Sequence, residues 1–440
     1  MTLLPPIYFL DGGLGTTLAD KFGCKFDDST PLWSSQLLLS STGSQVLQKC
    51  HSAFVNAGAD LITTATYQAS TREFMNALEE SQIKYESADD EGIPNSKNTN
   101  ELKETNEKFP EILITKENSS RPKREEINRK FCKKTLKITQ AHEFMRNAVK
   151  LARLSFGEKK GTVVLGLGAA GACLKPSQEY TGNYAGSEVG TSISSIRKWH
   201  FERLCVFAHC RKDEKLDKVD ENLRFCEPSN FNSCWDDIDL IAFETLPLLQ
   251  EIIAIREAMA EVYQNGSHYY RSDAGATSAS LARKEIARKD FWISCVFPGD
   301  KYQLPDGSSV TEIIRSMLCR REKAEIPMGV GINCTSVVKL ETLIKKYEEA
   351  IFDMILRGEI DSWPSLILYP DGTNGEVYNT TTHEWETKKN HDFNSHSWDE
   401  MMFDIVKGAQ QRGAWKSIYA GGCCKTTPDD IKRLRSRWNS

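Results

Sequence analysis

Two adjacent cysteines, Cys423 and Cys424, follow Gly421 and Gly422 at the end of the apolar run Ile418-Tyr419-Ala420 and stand just before a helix start at Thr427-Pro428-Asp429-Asp430. That order describes the tip of a strand. Neighbouring cysteines that bond to each other close a strained ring and lose the preferred disulfide geometry. Glycines beside them let the backbone turn so that both sulfurs face one soft cation. A third thiolate is at hand in Gly331-Ile332-Asn333-Cys334-Thr335-Ser336, which also ends an apolar run and precedes a helical pattern. An isolated Cys-Cys pair is more often a buried apolar couple. Cys334 at an equivalent strand tip reverses that balance.

Three thiolates on a zinc ion leave one position open for a substrate sulfur, whereas four protein ligands make a closed structural site. An incoming thiol bound there ionises at neutral pH, and the thiolate is the reactive nucleophile. Such a sulfur is poised to attack an electrophile. None of the 8 histidines has ligand spacing near these motifs, so the open site is preferred to the structural one.

These tips need a scaffold. Short apolar runs alternate with amphipathic helical stretches, and eight runs read as strands: Tyr8-Leu10, Leu61-Thr66, Thr162-Leu167, Leu240-Phe243, Trp292-Phe297, Met328-Asn333, Ser365-Tyr369 and Ser417-Ala420. Eight strands with helices between them predict a single (β/α)8 TIM barrel over residues 1–440. In the first helix of good period, Val46, Leu47, Cys50 and Phe54 share a face and Gly58 supplies the left-handed stop. Active sites of such barrels form at the C-terminal ends of the strands. That rule places Asp11, Thr66, Tyr67, Glu244, Asn333, Cys334, Cys423 and Cys424 at one mouth.

Asp11-Gly12-Gly13, Gly331-Ile332-Asn333-Cys334 and Gly421-Gly422-Cys423-Cys424, in this order and spanning nearly the whole chain, resemble the signature of the zinc-dependent homocysteine S-methyltransferases. The resemblance implies zinc on Cys334, Cys423 and Cys424, and methylation of homocysteine to methionine by S-methylmethionine or S-adenosylmethionine. It further implies that Glu244, in Phe243-Glu244-Thr245-Leu246-Pro247, and Asp11 hold the substrate ammonium, and that Thr66 and Tyr67 lie near the substrate. Gly12 and Gly13 are permissive positions where amides could approach a carboxylate. Glu179-Tyr180-Thr181-Gly182-Asn183-Tyr184 is similar to the family loop after the third strand, where the donor sits, but Gly168-Ala169-Ala170-Gly171-Ala172 departs from the Gly-Pro-Tyr-Gly-like form expected before it.

Rival readings follow from the same residues. Betaine-using relatives share the three-cysteine logic but usually carry a long C-terminal segment, whereas this sequence stops soon after Trp438, so a sulfonium donor is expected. Selenocysteine could replace homocysteine as acceptor, since selenolate binds zinc in the same way. A non-catalytic zinc- or redox-responsive barrel is the reading from another class. The glycines of Gly166-Leu167-Gly168-Ala169-Ala170-Gly171 lack the helix that a dinucleotide fingerprint needs. Lys175, His200 and His209 read as surface or packing residues, because attack by a thiolate requires no general base.

Composition bounds the rest. Charged residues make up 27% and hydrophobic ones 40%, and the net charge of -5 offers no basic surface for nucleic acid. No apolar run is long enough to cross a membrane. Met1-Thr2-Leu3-Leu4-Pro5-Pro6 lacks the features of a signal peptide, and 13 scattered cysteines form no disulfide framework, so a cytoplasmic protein with reduced thiols is expected. From about Glu79 to Lys134 the sequence is polar and poor in apolar residues, which predicts a solvated or disordered insertion. Shorter polar insertions are expected near Arg211–Asn230 and Asn265–Lys289.

Overall fold

The computed structural model describes residues 4–26, 32–79, 122–208, 234–265, 267–270, 282–373, 376–379, 384–387 and 396–438. Eight parallel strands form one sheet: β1 (Ile7–Phe9), β2 (Leu61–Thr63), β3 (Thr162–Gly168), β4 (Leu240–Leu246), β5 (Asp290–Cys295), β6 (Gly329–Ser336), β7 (Ser365–Asp371) and β8 (Ile418–Ala420). Their order is β1-β8-β7-β6-β5-β4-β3-β2, so each strand from β2 onward pairs with its sequence neighbour and β1 pairs with β8. All eight apolar runs are strands, and the (β/α)8 barrel is the observed architecture.

The ladder stops between β1 and β2, and two aspartates complete the closure. Phe9 N donates to Asp60 Oδ2 at 2.9 Å and Asp60 N to Phe9 O at 2.8 Å. Near the mouth, Thr63 N donates to Asp11 Oδ2 at 2.8 Å and Thr63 Oγ1 to Asp11 Oδ1 at 3.1 Å. Asp11, a residue singled out for chemistry, thus also joins the first strand to the second.

Helices α1 (Leu14–Phe22), α2 (Ser41–Ala57), α3 (Pro122–Leu154), α4 (Ile193–Ala208), α5 (Leu249–Asn265), α6 (Val310–Leu318), α7 (Leu340–Leu356), α8 (Trp398–Arg412) and α9 (Pro428–Trp438) form the outer layer. Their ends obey local rules. Ser40 caps α2 by accepting from Gly43 N, and Gly58 ends it at φ 102°. Before α9, Asp430 Oδ2 accepts from Thr427 N at 2.7 Å and from Thr427 Oγ1 at 2.8 Å. The main core lies between strands and helices and buries Leu47, Cys50, Phe54, Ile313 and Leu343, among others. A second cluster fills the lumen with Leu10, Leu61, Val164, Ala242, Trp292, Ile367 and Tyr369. Trp292 Nε1 on β5 reaches the Tyr369 hydroxyl on β7 at 3.2 Å, across an intervening strand, which shows that both side chains point inward.

One expectation meets a different outcome. The ladder of β2 ends at Thr63, three residues early, because Thr64 and Thr66 bond through their hydroxyls at 2.6 Å and Thr66 N turns back to Thr64 O. Within the interval expected to be an insertion, residues 80–121 lie outside the described ones, but α3 already runs from Pro122. Residues 209–233, which include His209 and all of the second polar stretch, also lie outside them. The third contains an antiparallel pair, Ser267–Tyr270 with Ala282–Glu285, and a similar pair not expected from sequence joins Glu376–Asn379 to Glu384–Thr387. Among the described residues, no helix is long and apolar enough to cross a membrane.

Candidate active site

The sulfurs of Cys334, Cys423 and Cys424 lie within 4.8 Å of one another, and among the described residues they are the one group of three or more His, Cys, Asp or Glu side chains close enough to hold a metal ion. Cys334 comes from β6 and the other two from the turn after β8. The sulfurs of Cys334 and Cys423 lie against each other, with Cα atoms 5.7 Å apart, and Cys423 Sγ lies 3.9 Å from Cys424 Sγ. Reduced, the same three sulfurs are a donor set suited to a soft or borderline cation, with no fourth protein ligand among the described residues to close it.

Backbone geometry aims these sulfurs. Cys334 has φ 45°, and the pairing of β6 with β7 shifts register between Asn333 and Ser336. On β4, Thr245 has φ 60°, with a register shift between Phe243 and Leu246. Left-handed backbone is costly for residues other than glycine and persists where the surroundings hold it. Here each irregularity holds the other. Thr245 N donates to Asn333 Oδ1 at 2.8 Å, Asn333 Nδ2 donates to Thr245 Oγ1 at 2.7 Å, and Thr245 Oγ1 lies 3.8 Å from Cys334 Sγ.

The turn of Cys423 and Cys424 is fixed from both sides. Gly422 N donates to Asp11 O at 3.0 Å, Cys423 N to Pro370 O at 2.8 Å, and Gly372 N to Cys424 O at 2.8 Å. A Cβ on Gly13 would stand 2.4 Å from Cys423 O, so the first strand tip approaches the cysteines only as glycine. Gly13 N donates to Thr426 O at 2.9 Å and to Thr426 Oγ1 at 3.0 Å, which engages the amide within the protein. Gly12 has equally little room, since a Cβ there would meet Phe54 Cε1 and Thr426 O at 2.8 Å each.

Asp11 and Glu244 are both buried at this mouth. Burial pushes the Asp11 carboxyl up to about 7 against the opposing bonds from Thr63, and pushes Glu244 up to about 8, with the charge of Asp11 adding to the rise. Glu244 therefore feels the charge of Asp11 in a place where burial keeps either carboxyl from ionising freely. Glu244 hydrogen-bonds to the Tyr369 hydroxyl across the lumen. Thr66 donates to Gly166 O at 2.6 Å and is fully buried, so its hydroxyl shapes the second strand tip rather than the open space. Tyr67 packs its ring under Gly168, where a Cβ would meet it at 2.7 Å.

Of the groups that shape this site, Tyr369 and Arg203 carry no recognisable sequence signal, and Glu179 is marked only by its family-like loop. Tyr369 reads as an ordinary strand residue until β7 turns it toward Glu244. Glu179 is 6% exposed, its Oε2 has no hydrogen-bond partner in the protein, and burial raises its carboxyl to about 7. Its charge reaches the Tyr67 hydroxyl and the Cys424 thiol, which places it on the same mouth. Arg203, buried on α4, donates to the carbonyls of Thr66, Tyr67, Ala69 and Gly168 at 2.6 to 2.8 Å. Of the residues set aside as packing, His200 is buried against Glu251, and Lys175 pairs with Glu73 at 2.9 Å.

Comparison with known proteins agrees with this arrangement. The family model for homocysteine S-methyltransferase matches residues 8–108 and 126–438. Homocysteine S-methyltransferase 1 of Arabidopsis thaliana is 22% identical over 97% of this chain and 91% of its own. The selenocysteine Se-methyltransferase of Brassica oleracea var. italica is 23% identical over 97% and 88%. The crystal structure of the homocysteine methyltransferase MmuM from Escherichia coli, in its metallated form, shares the fold with a TM-score of 0.51 and 20% identity, covering 98% of this chain and 96% of that one. With three cysteine sulfurs converging at the mouth of a full-length match, the chain belongs to the homocysteine S-methyltransferase family.

Proposed function

We propose that this protein transfers a methyl group from S-methylmethionine or S-adenosylmethionine to the sulfur of homocysteine, forming methionine, with zinc held by Cys334, Cys423 and Cys424. The convergence of the three sulfurs without a fourth protein ligand among the described residues carries this reading. Zinc on three thiolates would favour ionisation of an incoming thiol and keep its sulfur electron-rich.

The chain's own groups supply the rest. A homocysteine ammonium near Asp11 and Glu244 offsets the burial that pushes both carboxyls up and the Asp11 charge that adds to the rise at Glu244, so binding ionises them and gains a charge-assisted contact. Tyr369 orients Glu244 from across the lumen. Asn333 acts on Cys334 through Thr245, and the engaged Gly13 amide supports the cysteine turn. The segment after β3, with Glu179, borders the donor. In the transfer step the homocysteine thiolate attacks the methyl carbon in line with the carbon–sulfur bond of the sulfonium. A new carbon–sulfur bond forms, the old bond's electron pair returns to the donor sulfur as a neutral thioether, and the thiol proton has already left to solvent. The likeness to a selenocysteine Se-methyltransferase favours a second acceptor, since a selenolate attacks through the same geometry.

Reduced, zinc-loaded protein is to be incubated with homocysteine and each donor in turn, and methionine measured. Methionine formation with a sulfonium donor is expected. Turnover with betaine alone would overturn the donor assignment, preference for selenocysteine over homocysteine would move the acceptor, and no turnover with any pair would reject the activity.

A further inference from the structure

A fully buried carboxylate that belongs neither to the cysteine cluster nor to the Asp11–Glu244 pair gathers the segment after β3. Glu251 lies in the first turn of α5. Its Oε1 accepts from Ala170 N at 2.7 Å and binds His200 Nε2 at 2.8 Å, and its Oε2 accepts from the Tyr184 hydroxyl at 2.6 Å. Burying a carboxylate is costly unless hydrogen bonds replace its water, and three short bonds do so here. Arg203, one turn beyond His200 on α4, is close enough for its charge to be felt by Glu251's own and grips the tips of β2 and β3.

Two of the three partners, Ala170 and Tyr184, bracket the segment that contains Glu179. A loop of that length holds a single conformation only if something fixes its ends, and each end here is tied to one carboxyl group. Between these ties Glu179 keeps a buried oxygen without a hydrogen-bond partner in the protein.

We propose that Glu251 is a positioning residue for methyl-donor binding: by tying Ala170 and Tyr184 to α5 and α4, it fixes the wall of the site that carries Glu179. This rests on the methyltransferase reading above, and it assigns the wall to the donor rather than to homocysteine. Tyr184→Phe removes one hydroxyl at constant ring volume, and Glu251→Gln keeps the shape but offers a single acceptor oxygen to three donors.

The test is carried out on the full, zinc-loaded chain. Tyr184→Phe should raise the KM for the sulfonium donor about threefold to tenfold, as expected for one lost hydrogen bond, and Glu251→Gln should raise it more. Homocysteine affinity measured without donor and zinc content should stay within about twofold of wild type, and kcat should change far less than KM. Hydrogen exchange without any substrate should quicken in residues 170–184 in both variants. Unchanged donor KM with normal turnover would overturn the positioning role alone, as would a loss confined to homocysteine affinity or zinc. If the wild-type protein transfers no methyl group, both readings fall, whereas quickened exchange in the variants would still locate the structural tie.

Discussion

At the scale of single residues, the site combines groups that burial has placed against their own preferences. Replacing Cys334, Cys423 or Cys424 with Ser removes one thiolate from a mouth outside the main core. Each variant should lose most bound zinc and all methyl transfer while its far-ultraviolet circular dichroism stays near wild type. Full activity in a variant depleted of zinc would reject the metal's part. Glu244→Gln keeps the thiolates and removes the carboxylate proposed to face the substrate ammonium. Its homocysteine affinity should fall about tenfold to a hundredfold with zinc retained, as read by titration beside metal analysis. The same change has a signature in stability. Glu244 has a folded pKa of about 8, above its ordinary 4.5, so between those values the folded protein holds more protons than the unfolded chain and loses stability as pH rises. In substrate-free protein, Glu244→Gln should therefore raise the Tm relative to wild type more at about pH 8.5 than at about pH 5. An equal difference at both values would mean that the carboxyl is not held protonated by burial.

At the scale of elements, the irregular ends of β4 and β6 matter more than their regular parts. Asn333 satisfies the Thr245 amide and hydroxyl, and Thr245 borders Cys334, so one side chain holds two strand tips. Asn333→Ala leaves a buried amide without an acceptor, which typically costs about 1–3 kcal/mol. Its expected mark is a lower urea midpoint together with faster loss of zinc to a chelator. Loss of homocysteine affinity with unchanged zinc retention would instead make Asn333 a direct substrate contact. Closure of the barrel works through side chains as well. Asp60 Oδ2 serves both Phe9 N at 2.9 Å and Arg435 Nη1 at 2.7 Å, and the Arg435 guanidinium lies 4.6 Å from the Phe9 ring centre. Asp60→Ala should lower stability by about 1–3 kcal/mol while leaving activity per folded molecule near wild type, because it acts at the strand end away from the cysteines. A selective loss of turnover without a stability change would contradict that division.

At the scale of the whole molecule, the family model leaves residues 109–125 unmatched, inside the polar interval expected to be an insertion. Low apolar content cannot supply a second core, and the entropy of closing a surface loop grows slowly with its length. Removing residues 86–118 should leave one cooperative unfolding transition and unchanged turnover. A second transition, or a broadened one, would show that the segment packs on the barrel.

The sequence by itself determined the eight strands, their alternation with helices, and the three cysteines, because periodicity and strand-tip glycines are local signals that survive without tertiary contacts. Gly58 and Thr427 marked helix ends for the same reason. Tertiary structure decided which side chains meet. Tyr369 and Glu244 touch only because the sheet curls and brings β7 across from β4, and Thr245 takes a left-handed backbone only because Asn333 is there to hold it. Gly13, expected to present its amide to a substrate, instead donates to Thr426, a partner 413 residues away. Glu251 and His200 have the look of ordinary helix residues, and their role depends on two helices packing side by side under one loop. Such contacts join residues far apart in the chain, so no local pattern records them, whereas the folded barrel fixes them through burial and the need of each buried polar group for a partner.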